Sequence, residues 1–267
     1  MQTHDPFALF PYQAIVDRPP MAWPNGARVA VWVIPNIEHF HIEIGNAAPD
    51  IRNHSRRDYG NRVGIWRMME VMEKHGVRGS VALNGEVGRY YPRIMEEVAK
   101  LKWELMGHGM TNSQFLTGLS KEAEAAVIAD TKSVIEQHGQ PMRGWLGPGL
   151  TETWETPDLL VEEGYDYVCD WVLDDRPVWL STRNGRIASV PYTQECNDVA
   201  MMLIQHHRAA EWRDRALDQF EQLRRDAARG GDPRVLALVV HPYIMGVPHR
   251  ARYVRETLER IWKEERG

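Results

Sequence analysis

Apolar residues along this chain fall into short unbroken runs. Residues 28–34 read RVAVWVI, 79–83 GSVAL, 103–106 WELM and 235–240 VLALVV. Continuous apolar runs of this kind, rich in β-branched residues, predict strands covered on both faces, as in a parallel sheet. Between the runs lie helical stretches that stop at glycine. Gly76, Gly139 and Gly164 each follow polar residues and precede the next run, the usual left-handed helix stop. Ser120 stands where an N-cap is needed, and Thr156-Pro157 sets a cap before a first-turn proline. The alternation predicts βα repeats around a parallel sheet. Strands are expected to begin near residues 28, 79, 103, 142, 165, 187 and 235. Seven strands suit an α/β fold closed into a distorted (β/α)7-type barrel. Residues 198–229 predict one long helix whose charges form a solvated face. Residues 1–27, with five prolines, predict an extended N-terminal arm closed by the turn at Pro24, Asn25 and Gly26. No boundary is visible beyond it, so 28–267 is expected to be a single domain.

The runs end in residues that can do chemistry. The first leads into Asn36, Glu38 and His39, and the third into Gly107, His108 and Gly109. Arg143 opens RGWLGPG, residues 165–168 lead into Asp170, and the last run leads into His241. Sites in parallel α/β folds form where the C-terminal ends of strands meet, so the pattern points to an enzyme with a histidine/carboxylate site. Adjacent side chains on a strand face opposite ways, so one of Glu38 and His39 is expected to be central. Glu38 is the candidate general base, and His39 a metal ligand, a substrate contact or a surface residue. His241, with Pro242 ending its strand, is the candidate general acid. Glycines on both sides of His108 let backbone approach a ligand. The helical partner position four residues on is Asn112, a poor metal ligand. Arg143 reads either as a bidentate carboxylate anchor or as a structural ion pair. Trp145 sits where it could line the site. Residues 191–198 (PYTQECND) form a polar loop in which Glu195 and Asn197 could read a ligand, or Asn197 and Asp198 could cap the next helix.

Net charge is −5, so nothing favours a nucleic-acid partner. The two cysteines, Cys169 and Cys196, lack zinc-site spacing and predict buried free thiols. No apolar run long enough for a membrane span is present, and MQTHDPFALF has no export-signal pattern. A cytoplasmic protein is expected.

Together these pieces resemble the polysaccharide deacetylase superfamily, which has the NodB-homology fold, over roughly residues 15–260. The family's first motif, Asp-Asp, is matched by Glu38-His39. Its His-x-x-x-His is matched by His108 and Asn112, its Arg-containing third motif by Arg143, Trp145 and Gly147, and its last histidine by His241. The departures from the metal-binding pattern resemble the cytoplasmic branch that includes metal-independent allantoinases. That branch shares Pro-Tyr-x-x-Glu-x-Asn-Asp, here 191–198, and Gly-x-Pro-x-Arg, here 246–250 and ending at Arg250. The resemblance implies a hydrolase of non-peptide C–N bonds in a ureide, cyclic amide or N-acyl small molecule, without a cofactor. Glu38, His108 and His241 would be catalytic. Asn36, His39, Asn112, Arg143, Trp145, Glu195, Asn197 and Arg250 would bind substrate. It also implies a homodimer or homotetramer. The alternatives are a zinc- or other divalent-metal-dependent deacetylase of amino sugars, held through His39, His108 and Asn112 and placed in carbohydrate metabolism, and an inactive ligand-binding member.

Overall fold

The last apolar run forms β8 (Arg234–Val240), buried along its whole length. It lies parallel to β1 (Val29–Ile37), with seven residues in register from Val29↔Arg234 to Pro35↔Val240. In this computed structural model, which describes residues 5–43 and 48–265, the first four residues of the expected arm lie outside the described region. From β1 the sheet continues through β2 (Ser80–Leu83), β3 (Glu104–Gly107), β4 (Gly144–Trp145) and β5 (Tyr167–Val168), all parallel. It ends in a hairpin of β6 (Val178–Thr182) and β7 (Gly185–Ser189), with β7 parallel to β5 and β6 antiparallel to β7.

The strand order is β6-β7-β5-β4-β3-β2-β1-β8. The fold class is the expected α/β arrangement, with two corrections. There are eight described strands rather than seven, because Arg183 and Asn184 turn residues 178–189 into a hairpin. The sheet is also a curled half-barrel that does not close. Instead, residues 191–198 run across towards its open side, where Asn197 bridges to Val239 and Val239 N–H donates to the Cys196 carbonyl at 3.1 Å.

The helices follow the expected stops. They are α1 (Pro6–Leu9), α2 (Ile51–Tyr59), α3 (Ile65–Lys74), α4 (Gly85–Tyr90), α5 (Pro92–Lys100), α6 (Lys121–Glu136), α7 (Thr156–Glu162), α8 (Ala209–Gly230) and α9 (Pro248–Glu265). The Ser120 hydroxyl accepts from Ala123 N–H at the start of α6. The single long helix expected over 198–229 is broken. A wide π-helical turn at Ala200–Ile204 ends where His206 takes φ +60, and α8 starts afresh with the Glu211 carboxylate accepting from Arg208 N–H at 2.6 Å. The arm is not simply extended: it carries α1 and is tied down, with Trp23 Nε1 donating to the Arg234 carbonyl and Phe10 packed on Trp171. Both cysteines are free and buried. Among the described residues no helix is long and apolar enough to cross a membrane.

Two apolar layers result. The larger fills the space between sheet and helices, around Met68, Met72, Leu105, Trp145, Trp212 and Phe220. The smaller lies inside the curl of the sheet: Ile34, Ala82, Met106, Leu146, Cys169, Tyr192, Ala237 and Val239. This inner layer is the floor on which the polar residues stand.

Candidate functional site

Side chains alternate across a strand, so the residue two positions beyond each floor residue faces the same interior. Beyond Ile34 come Asn36 and then Glu38; beyond Ala82, Asn84; beyond Met106, His108; beyond Val239, His241. All five of these polar residues are buried. One register rule therefore carries the interior from an apolar floor to a polar cluster at the C-terminal ends of the strands.

Glu38 is the hub. Its Oε1 lies 3.5 Å from His108 Nε2 and 3.4 Å from His241 Nε2, and it accepts from Asn112 Nδ2 at 2.5 Å. A chain of donors fixes the orientation of that amide. His39 N–H donates to Asn84 Oδ1 at 2.8 Å, so the Asn84 amide nitrogen must point the other way. That nitrogen donates to the His108 carbonyl and to Asn112 Oδ1. Asn112 is then left with its own NH₂ facing Glu38, where only an acceptor fits. Asn61 holds the Glu38 backbone carbonyl from behind at 2.8 Å.

His241 is oriented by Asp198. The Asp198 carboxylate accepts from the His241 backbone N–H at 2.7 Å and pairs with its Nδ1 at 2.5 Å. Burial opposes a charge on His241, but the Asp198 and Glu38 carboxylates outweigh it and raise the imidazole to about 10. Burial likewise works against ionised Glu38, yet the two histidines hold it down at about 2. Asp198, wholly enclosed, is pushed up by burial. At neutral pH the cluster is a Glu38 carboxylate facing a His241 imidazolium.

His108 is held differently. Its Nδ1 lies 2.6 Å from the Leu146 carbonyl and must donate to it. The other ring nitrogen, Nε2, is therefore the one turned towards Glu38. A water at about 2.8 Å from both Glu38 Oε1 and His108 Nε2 fits at the mouth of this 3.5 Å gap. The flanking glycines have distinct reasons. A β-carbon on Gly107 would meet the Trp145 ring at 2.8 Å, while Gly109 has φ +64 and a β-carbon there would run into Pro148. The His108 N–H is taken by the Leu83 carbonyl at 3.0 Å, so it is not available to a ligand that approaches the backbone here.

Several expected contacts lie elsewhere. Arg143 precedes β4 and so sits at the opposite end of the sheet, exposed and paired with Asp166. Glu195 points to solvent and pairs with Arg215 at 3.3 Å. Trp145 alternates outward, into the layer under the helices, where it packs edge-on against Tyr165; Leu146 faces inward in its place. Asn36 and Asn197 are braces: both contact the Tyr192 hydroxyl, and Asn197 Oδ1 caps the turn that follows, accepting from Val199 N–H at 2.9 Å. Arg250 lies beyond His241, where with Arg56 and Tyr243 it lines a cavity of about 500 Å³. His39 turns towards α4, its Nε2 3.7 Å from Glu86, and burial lowers its pKa. Asp170 accepts from Gly147 N–H at 2.8 Å, and burial raises it to about 6 beside Glu152, itself pushed up by burial and by Asp170.

Three residues of the cluster were not singled out from sequence: Asn84, Asn61 and, as a partner of His241, Asp198. For Asn84 a signal was present, since it ends the run SVAL in the same register as Glu38 and His108. Asp198 was visible only as a helix cap.

The metal set implied by the resemblance does not assemble. Asn112 presents its NH₂ to the pocket and engages its carbonyl oxygen with Asn84, and His39 faces Glu86. These three residues do not fit a shared ion.

No protein-family model matches the chain. It is 23% identical to a Schizosaccharomyces pombe protein named "Putative polysaccharide deacetylase", over 91% of this chain and 87% of that protein. Among solved structures it superposes on one of a probable polysaccharide deacetylase from Pseudomonas aeruginosa PAO1 with TM-score 0.82 and 22% identity, covering 94% of this chain and 91% of that one. It superposes equally on Puue allantoinase, with TM-score 0.82 and 21% identity over 95% and 92% of the two chains. The chain thus has the NodB-homology fold of the polysaccharide deacetylase superfamily.

Proposed function

We propose that this protein hydrolyses a non-peptide C–N bond in a ureide, cyclic amide or N-acyl small molecule, without a catalytic metal. The observation that carries the reading is the buried Glu38–His241 pair, 3.4 Å apart and backed by Asp198. Both names borne by the relatives, polysaccharide deacetylase and allantoinase, support hydrolysis at a carbonyl–nitrogen bond.

The water shared by Glu38 and His108 attacks the substrate carbonyl carbon and gives its proton to Glu38. The second hydrogen of the Asn112 amide and the His241 Nε2–H are the donors that stabilise the developing oxyanion. As the C–N bond breaks, His241 protonates the leaving nitrogen. Glu38 then returns its proton to His241 directly across their short gap. In the free protein His241 and His108 keep Glu38 ionised, and Asp198 and Glu38 keep His241 charged. A substrate carbonyl entering between Glu38 and His241 weakens that pairing and moves both towards the range useful for proton transfer.

A panel of ureides, cyclic imides and acetylated amino sugars tests the reading, which fails if none is turned over. On the substrate found, turnover is expected to survive prolonged dialysis against a strong chelator. Loss of activity restored by zinc would show that a metal takes part. The protein is also expected to be a homodimer or homotetramer, because the N-terminal arm exposes Tyr12, Val16 and Phe7 at 82%, 86% and 57%. Light scattering at micromolar concentration that gives the mass of a single 30.8 kDa chain would contradict this.

A further inference from the structure

One residue beyond Glu38, the chain turns its next side chains to a different neighbourhood. Among the described residues, His39, His41 and Glu86 bring three ligand atoms within 4.8 Å of one another. His41 Nε2 is 2.9 Å and His39 Nε2 3.7 Å from the same oxygen, Glu86 Oε2.

A hydrogen bond explains only half of this. His41 can donate to Glu86. His39 cannot do so while neutral, because its other nitrogen is committed. The Tyr91 hydroxyl donates to Asp58 Oδ1 at 2.7 Å, so the Tyr91 oxygen is left to accept, and the His39 Nδ1–H lies 3.4 Å from it. This Asp58–Tyr91–His39 chain leaves the His39 Nε2 lone pair aimed at a carboxylate oxygen. In that tautomer two acceptors face each other with no proton between them. A cation at that point would satisfy both. A carboxylate chain behind a histidine is also the arrangement that orients metal ligands.

We propose that His39, His41 and Glu86 bind one zinc-class divalent cation, at a site separate from the Glu38 cluster. Two imidazoles and one carboxylate favour zinc or a neighbouring transition metal over magnesium or calcium. Zinc bonds of about 2.0–2.2 Å set tetrahedral ligand atoms about 3.3 Å apart, and the two contacts to Glu86 straddle that value. His39 and His41 also line a cavity of about 540 Å³, which gives an ion an entry path. His54 lines the same cavity. Its Nδ1 donates to the Phe40 carbonyl at 2.8 Å, leaving its Nε2 free to accept. The bound ion ties the segment after β1 to α4.

The test is calorimetric titration of zinc chloride into chelator-stripped full-length protein, which needs no substrate and is therefore independent of the hydrolytic reading. One zinc per chain is expected. His41→Ala and Glu86→Gln should each weaken binding by ~10-fold or more, and so should Tyr91→Phe, which removes the oxygen behind His39. Circular dichroism identifies any variant that fails to fold, and the others then decide. Absence of zinc uptake at micromolar concentration overturns the proposal. Wild-type affinity in folded His41→Ala and Glu86→Gln overturns it equally, because the ion would then sit elsewhere.

Discussion

Glu38→Gln is expected to fold normally and to lose ~10²–10⁴-fold in kcat, the usual contribution of a positioned general base. Glutamine keeps the volume of the side chain, and its carbonyl oxygen can still accept from Asn112. What it cannot do is take a proton from water. The substitution also removes one of the two carboxylates that hold His241 charged, so the variant loses part of its acid as well as its base. Its melting temperature should fall less than that of a variant lacking the Asp198 charge, because Asp198, 2.5 Å from the ring, still compensates the imidazolium. Near-normal kcat in folded Glu38→Gln would show that Glu38 is not the base.

Asp198→Asn should be nearly as damaging, for a different reason. An asparagine in that place can still accept from the His241 backbone N–H, yet the charge that does most to keep the ring protonated is gone, leaving only that of Glu38. We expect turnover to fall by ~10²-fold or more and the pH profile to change shape. In the wild type, kcat/KM should stay level through neutrality and fall only as pH rises towards about 10, where His241 gives up its proton. In Asp198→Asn that fall should begin at lower pH. Stability carries the same sign. The folded pKa of His241 lies above its ordinary 6.5, so the stabilisation is fully present below 6.5 and disappears as pH rises through about 10. Removing one partner of a buried pair costs about 3–5 kcal/mol, so thermal unfolding should also register the change. An unshifted basic limb in a folded variant would mean that Asp198 only braces the loop.

The sequence carried the fold because β1 and β8 are apolar on both faces and the helices end at glycines where left-handed backbone is needed. It did not show that the sheet stays open rather than closing into a barrel. β4 and β5 pair over only two residues each, too few to leave a period, and the β6–β7 hairpin hides in mixed polarity. The buried polar cluster was legible at Glu38, His108 and His241 because each ends a buried run. Arg143 misled because it opens its run instead of ending it, and strand direction decides which end of the sheet a residue reaches. Trp145 misled through parity: one residue away from Leu146, it faces the other layer. Asp198 was hidden because its partner lies 43 residues away, and no local pattern marks such a pair.

The most direct measurement is a double-mutant cycle in kcat/KM with Glu38→Gln, His241→Asn and the two combined, on one hydrolysed substrate. If the two residues pass protons along one path, either single substitution breaks that path. The double variant should then be little worse than the poorer single. Losses that multiply would show Glu38 and His241 acting independently, and the shared acid–base mechanism would be wrong.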